Sequence, residues 1–296
     1  LAEADIPVVW TLHDCWSFTG HCTYFDYAGC EKWKIGCGAC PLKIMYPRSL
    51  FVDNSRNNYI RKKVAFTSVK NLTVVPVSYW LGDLAKQSFL RNYPMSIIHN
   101  GTDLITFSPD AAIDLNKTFG TAGKKYILGV AAPWSQRKGL DDAVELSRKL
   151  DFSEYQILLV GLSKEQFMDL PPEVIGIGRT QNAQELAGYY AGADVFINPT
   201  LEDNFPTTNI EALACGTPVV AYNTGGSPEA VSPETGLVVE KGNVAELAAA
   251  VETVCTNGRA AYFANCRRRA EERYDKNKCF GEYLQLYEGM LSKCKR

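Results

Sequence analysis

Short apolar runs recur along the chain, separated by stretches long enough for one helix or one loop. Residues 6–12, 72–77 and 95–99 are apolar or β-branched runs that predict buried strands. The first ends at His13-Asp14, and the third is closed by the Asn100-Gly101 turn pair. Ser78 stands where it caps a helix reaching about residue 89, and residues 55–70, with Arg56, Arg61, Lys62, Lys63 and Lys70, predict an exposed basic helix. A more regular series follows. Strands are predicted at 126–131, 155–160, 174–177, 194–198, 218–222 and 237–239. Helices are predicted at 139–150, 183–191 and 207–214, the last stopped by Gly216, and a long helix starts near Val244. Residues 116–123 are polar and read as a loop, and 275–291 as an amphipathic helix rich in Tyr and Leu.

Strands alternating with helices at these spacings imply parallel sheets covered on both faces. The expected architecture is α/β: two doubly wound, Rossmann-like units, the first incomplete, with no internal repeat. The divisions are 1–108, including a Gly-, Cys- and aromatic-rich excursion at 15–47; 109–274; and a C-terminal helix at 275–296. In such sheets ligands sit beyond the carboxyl ends of the strands, so the residues there are the ones to inspect.

Three stretches stand at strand ends. The first runs from Pro199 to Val220. Asp203 lies in the loop leaving a strand and Glu211 in the helix that follows, whose side chains lean back toward its start. Carboxylates accept charge-assisted hydrogen bonds from hydroxyl-rich ligands, and the helix start near Pro206-Thr207 offers free backbone N–H groups to an anion. The second runs from Gly129 to Leu140, where Arg137 and Lys138 precede a helix. The third, Thr224-Gly225-Gly226-Ser227-Pro228-Glu229, lets backbone approach a ligand closely, and it equally serves as a tight structural turn.

The Pro199–Val220 stretch resembles the signature of family 4 retaining glycosyltransferases, in which an acid, seven intervening residues and a Glu precede an Ala-x-Ala/Gly-x-Gly-x-Pro-Val run. Asp203 and Glu211 keep that spacing, with Asp in place of the usual first Glu, and Asn204-Phe205-Pro206 stands where Gly-Phe-Gly is usual. The resemblance implies a two-domain GT-B fold, a nucleotide diphosphate sugar as donor, a glycan or lipid-linked acceptor, retention at the anomeric carbon, and no catalytic metal. It implies roles as well. Asp203 would bind the donor sugar, with Glu202 as a competitor one residue out of register; Glu211 would bind the ribose; Lys138 would neutralise the diphosphate. His13 would contact the sugar, and Arg137, Asn204, Phe205, Pro206, Thr207, Gly225 and Gly226 would line the donor. The family's usual Arg five positions before Lys138 is replaced by Pro133, with Arg137 as a substitute.

Composition narrows the alternatives. Apolar residues make up 46% and charged residues 22% of 296 positions, the balance of a protein with a substantial core. The formal charge of −2 leaves no net basic field for nucleic acid. No apolar run reaches the roughly 18 residues of a membrane span, and residues 1–5 lack the positive start of a secretory signal. The expected setting is cytoplasmic; the basic 56–70 segment reads as a solvated helix face, with peripheral contact at the inner face of a membrane or with a lipid-phosphate acceptor as the alternative. No Gly-x-Gly-x-x-Gly turn follows a strand, which argues against a nicotinamide-dependent oxidoreductase. The opening has no Met, and its first run, 6–12, reads as a buried strand already inside a domain, so a fragment lacking its front half is expected, with a non-catalytic nucleotide-sugar-binding piece as the alternative function. Five of the ten cysteines crowd into residues 15–40. Cys22, Cys30, Cys37 and Cys40 number enough for one tetrahedral structural zinc, with Cys15 able to replace a member; buried free thiols or an oxidised pair are the other readings.

Overall fold

In the computed structural model, which describes residues 6–121 and 123–294, the chain divides into two compact units. The first holds the described residues up to His99, the short stretch Glu202–Phe205, and the last helix from Phe280 onward. The second holds Asn100–Leu201 and Pro206–Cys279. The division falls upstream of residue 108 for a visible reason. Thr102 donates its N–H to the Tyr274 carbonyl (2.8 Å) and accepts from the Lys276 N–H (3.0 Å), and Lys276 pairs with Asp103 at 2.8 Å.

The first unit is built on β1 (Val8–Leu12) and β2 (Leu72–Pro76), which pair in parallel with Val8 opposite Leu72. Between them run the excursion and α1 (Ser55–Thr67). Ser78 caps α2 (Tyr79–Gln87) as expected, its hydroxyl accepting from the Leu81 N–H at 3.0 Å. The strand expected at 95–99 is only a single bridge between Val74 and Met95. The segment is held beside β2 by three backbone bonds, Val74 to Pro94, Ser96 to Val74 and Ile98 to Pro76, and Pro76 has no N–H with which to complete a second bridge.

The excursion contains neither strand nor α-helix, only 3-10 turns at Trp16–Phe18 and Lys32–Lys34. Its order comes from side chains. Trp33 packs against Phe25 (ring centroids 4.9 Å) and Phe18 (5.3 Å) in the unit's core. Lys62, expected as one of several solvated cations on α1, instead donates to the carbonyls of Trp16 (2.6 Å) and Thr19 (3.0 Å) and lies 3.4 Å from the Trp16 ring centre. Burial lowers its amine to about 8.

The second unit is a six-stranded parallel sheet. Its chain order is α3 (Leu115–Phe119), β3 (Lys125–Val130), α4 (Leu140–Ser147), β4 (Tyr155–Val160), α5 (Lys164–Met168), β5 (Val174–Ile177), α6 (Ala183–Gly192), β6 (Val195–Asn198), α7 (Thr207–Ala214), β7 (Val219–Tyr222), β8 (Gly236–Val239), α8 (Val244–Asn257), α9 (Ala260–Arg273) and α10 (Lys276–Cys294). The strands lie in the order β5-β4-β3-β6-β7-β8. β4, β6 and β7 are buried along their whole length, the burial expected of strands covered on both faces. Within the polar 116–123 segment, read as a loop, α3 forms because Asp114 caps it by accepting from Lys117 N–H, and it ends at the left-handed Gly120. Residues 295–296 of the expected last element lie outside the described residues.

Candidate active site

β3, β6 and β7 are neighbours in the sheet, so the loops that follow them meet at one carboxyl edge. The loop after β3 is fixed by Trp134, whose indole N–H donates to the Val160 carbonyl (2.8 Å), and by Gln166, which donates to the Trp134 carbonyl (3.1 Å). It ends in the 3-10 turn Gln136–Lys138, with the Ser135 hydroxyl accepting from the Lys138 N–H. Gly139 then adopts φ +76°, and a Cβ there would lie 2.0 Å from the carbonyl oxygen of Pro199. Only glycine satisfies both conditions. Leu201 N–H and the Thr200 hydroxyl both donate to the Arg137 carbonyl, at 2.8 and 3.2 Å. The turn carrying half-buried Arg137 and Lys138 is thus laced to the segment leaving β6.

That segment enters α7 with Pro206 as N-cap and no side-chain cap, so the first-turn amides of Thr207 and Thr208 have no intrahelical acceptor. One turn on, the Glu211 carboxylate accepts a hydrogen bond from the Tyr190 hydroxyl at 3.1 Å. Burial pushes its carboxyl above the usual range, against the opposing pull of hydrogen bonds from Tyr190 and Thr207. The turn after β7 is tied in by the Thr224 hydroxyl, which donates to the Leu201 carbonyl at 3.0 Å, and Gly225 takes φ +54°. Beneath it runs a buried polar chain. Asn198 donates to the Asn209 side-chain oxygen (2.7 Å), and the Asn209 amide donates to the Ser227 hydroxyl (3.0 Å) and carbonyl (3.2 Å). Lys138, the start of α7, Glu211, Gly225 and Gly226 are therefore brought to one edge. Tyr190, Asn198 and Asn209 were not foreseen in the sequence, because their partners lie 11–21 positions away.

His13, Asp203, Asn204 and Phe205 belong to the first unit. Buried Glu202 accepts the Tyr27 N–H at 2.5 Å. Asn204 is used at both ends of its amide: its nitrogen donates to the His13 carbonyl (2.9 Å), and its oxygen accepts from the Ser78 hydroxyl. Its N–H donates to the Asp203 carboxylate at 2.9 Å. The Phe205 ring lies 4.7 Å from His99, which in turn faces Tyr79 at 5.4 Å. Asn204 and Phe205, expected to line the donor, have anchoring contacts here, and Glu202, weighed against Asp203 for the sugar, holds the loop to the excursion. Asp203 is buried and His13 exposed.

The sequence profile described as Glycosyl transferases group 1 matches residues 124–257, the span that contains this edge. Over 97% of its length the chain is 27% identical to the putative colanic acid biosynthesis glycosyl transferase WcaC of Escherichia coli K12, covering 70% of that protein. Residues 124–257 thus carry a group 1 glycosyltransferase domain. Over 52% of its length the chain is 31% identical to D-inositol 3-phosphate glycosyltransferase of Arthrobacter, spanning 40% of that relative. Solved structures share its fold, α/β with parallel sheets in the GT-B arrangement. Sucrose-phosphate synthase from Thermosynechococcus elongatus aligns with TM-score 0.69 at 24% identity over 84% of the chain and 66% of its own. Anabaena HepE in complex with UDP aligns with TM-score 0.70 at 19% identity over 96% and 72%.

The cysteine cluster lies in the first unit. Cys22, Cys30, Cys37 and Cys40 are free thiols lining one small cavity with His21 and Trp33. Cys15 is buried and outside that lining. As the side chains stand, no three metal-ligating groups among the described residues share an ion-binding geometry. No helix among the described residues is long and apolar enough to cross a membrane.

Proposed function

We propose that this transferase moves a sugar from a nucleoside diphosphate sugar to a hydroxyl of a glycan or lipid-linked acceptor, with retention at the anomeric carbon. The observation that carries the reading is the lacing of three loops at one carboxyl edge, which collects a cation, free helix-start amides, a close-approaching glycine turn and a carboxylate. Lys138 and the amides of Thr207 and Thr208 absorb charge developing on the departing diphosphate. Glu211, kept in place by Tyr190, accepts from the ribose hydroxyls. Asp203 and His13 take the sugar-contacting roles carried over from the family, and their loop's side-chain anchors support a fixed position for Asp203. The transferase names of the curated relatives favour transfer over binding alone, and the HepE complex with UDP favours a nucleotide donor.

The reading carries a cytoplasmic setting, peripheral at the inner face where the acceptor is lipid-linked, and the exposed Arg56, Arg61 and Lys63 of α1 support it. Thermal melting with UDP, GDP and ADP tests it first, since a ligand bound only by the folded state raises the midpoint. Proton NMR of the product made from the matching donor sugar then reads the anomeric configuration. No stabilisation by any of the three nucleotides, or an inverted product, defeats the proposal.

A further inference from the structure

The excursion at 15–47 gathers more sulfur than packing requires. Cys22, Cys30, Cys37 and Cys40 surround a cavity of about 10 Å³, room for roughly one water-sized occupant. The backbone is arranged to return the thiols to it. Ala39 has φ +46°, turning the chain between Cys37 and Cys40. Lys32 pins that turn by donating to the carbonyls of Gly38 (3.0 Å) and Ala39 (2.8 Å), and the Asp53 carboxylate accepts the Cys40 N–H at 2.7 Å. The Gly20 N–H donates to the Cys37 sulfur at 3.1 Å. A side chain at residue 20 would meet the Cys37 Cβ at 2.7 Å and the Ser55 carbonyl at 2.1 Å, so the approach of that amide to the sulfur requires glycine. Two polar atoms beside the cavity, His21 Nε2 and Trp33 Nε1, are buried without a hydrogen-bond partner.

We propose that Cys22, Cys30, Cys37 and Cys40 bind one Zn²⁺ ion as a structural site that fixes the excursion. Binding would bring the four sulfurs to about 2.3 Å from the ion. Four thiols and one hydrated Zn²⁺ give a Zn–thiolate centre and four protons; no oxidation or reduction is involved. The centre's residual negative charge faces Lys62, whose amine is coupled to Cys37 and Cys22, and Lys32. A consequence reaches the transferase chemistry, although the site does not depend on that reading. Tyr27 lies between Cys22 and Cys30 in the chain and holds Glu202 through its N–H, so an excursion loosened by metal loss releases the loop carrying Asp203.

The full chain, purified under reducing conditions, is analysed for metal and, after chelation, titrated with Co²⁺. The expected result is one zinc per chain as isolated and one equivalent of Co²⁺ giving sulfur-to-cobalt charge-transfer absorption with tetrahedral visible bands, both abolished by added Zn²⁺. The Cys37→Ser/Cys40→Ser variant should hold about a tenth of that metal or less, whereas Cys215→Ser, in the second unit, should hold all of it. A reduced wild-type chain that gives no charge-transfer band overturns the proposal, and so does a disulfide among the four thiols in the protein as isolated. The wild-type titration uses no substitution, so a variant that fails to fold leaves the test intact.

Discussion

The six-stranded sheet and the 15–47 excursion solve the same problem, holding irregular backbone in one place, by opposite means. At the sheet's carboxyl edge the loops are set by strand order and by backbone-accepted bonds such as Leu201 to Arg137 and Thr224 to Leu201. In the excursion the order rests on a few large side chains and cations: Trp33 on its two phenylalanines, Lys62 under two carbonyls, Lys32 under two more. The first arrangement distributes a constraint over many groups. The second concentrates it, so single side chains there carry the structure.

Four substitutions press on this contrast, the largest effect first. Trp33→Ala removes the centre of the ring cluster and should cost about 3–5 kcal/mol. Hydrogen exchange should show protection lost across 15–47 and kept in β3 to β8; equal loss in both would erase the contrast. Gly139→Ala places a methyl against the Pro199 carbonyl at a positive φ and should cost about 3 kcal/mol. Urea unfolding measures the cost, and an unchanged midpoint would show that the turn is not pressed against β6 as described. Lys138→Ala should leave stability within about 0.5 kcal/mol while weakening binding of the matching nucleoside diphosphate about thirtyfold. Calorimetric titration reads this, and full affinity would remove Lys138 from the site.

Glu211→Gln is the subtlest. Because burial raises this carboxyl, the folded state disfavours its charge, so its contribution to stability is full at low pH and is lost as pH rises from the ordinary carboxylate range through the raised value. The amide keeps an oxygen to accept from Tyr190. The variant should therefore melt no lower than wild type at pH 7, and it should bind donor about tenfold more weakly through the lost charge-assisted bonds. A lower melting temperature with unchanged affinity would make Glu211 a purely structural residue.

The sheet was legible because its strands are apolar runs between turn residues; the predicted bounds at 155–160 and 174–177 coincide with β4 and β5. A local spacing singled out Lys138 and Glu211, and both stand at the carboxyl edge of the sheet. Tyr190 and the Asn198–Asn209–Ser227 chain were not legible, since each depends on which strands become neighbours. For the same reason nothing local reveals that Ser78 and His13 occupy the Asn204 amide. Over 95–99 apolar content was read as a strand, where the missing N–H of Pro76 in β2 leaves a single bridge.

The Ser78 hydroxyl does two jobs with one oxygen, closing the first turn of α2 and gripping Asn204. Those two regions consequently share a fate: whatever frays that helix also unmoors the acidic loop, and neither can drift in evolution without the other. A hydroxyl-bearing residue is the narrow choice at this position, and alanine would exact both losses in a single step.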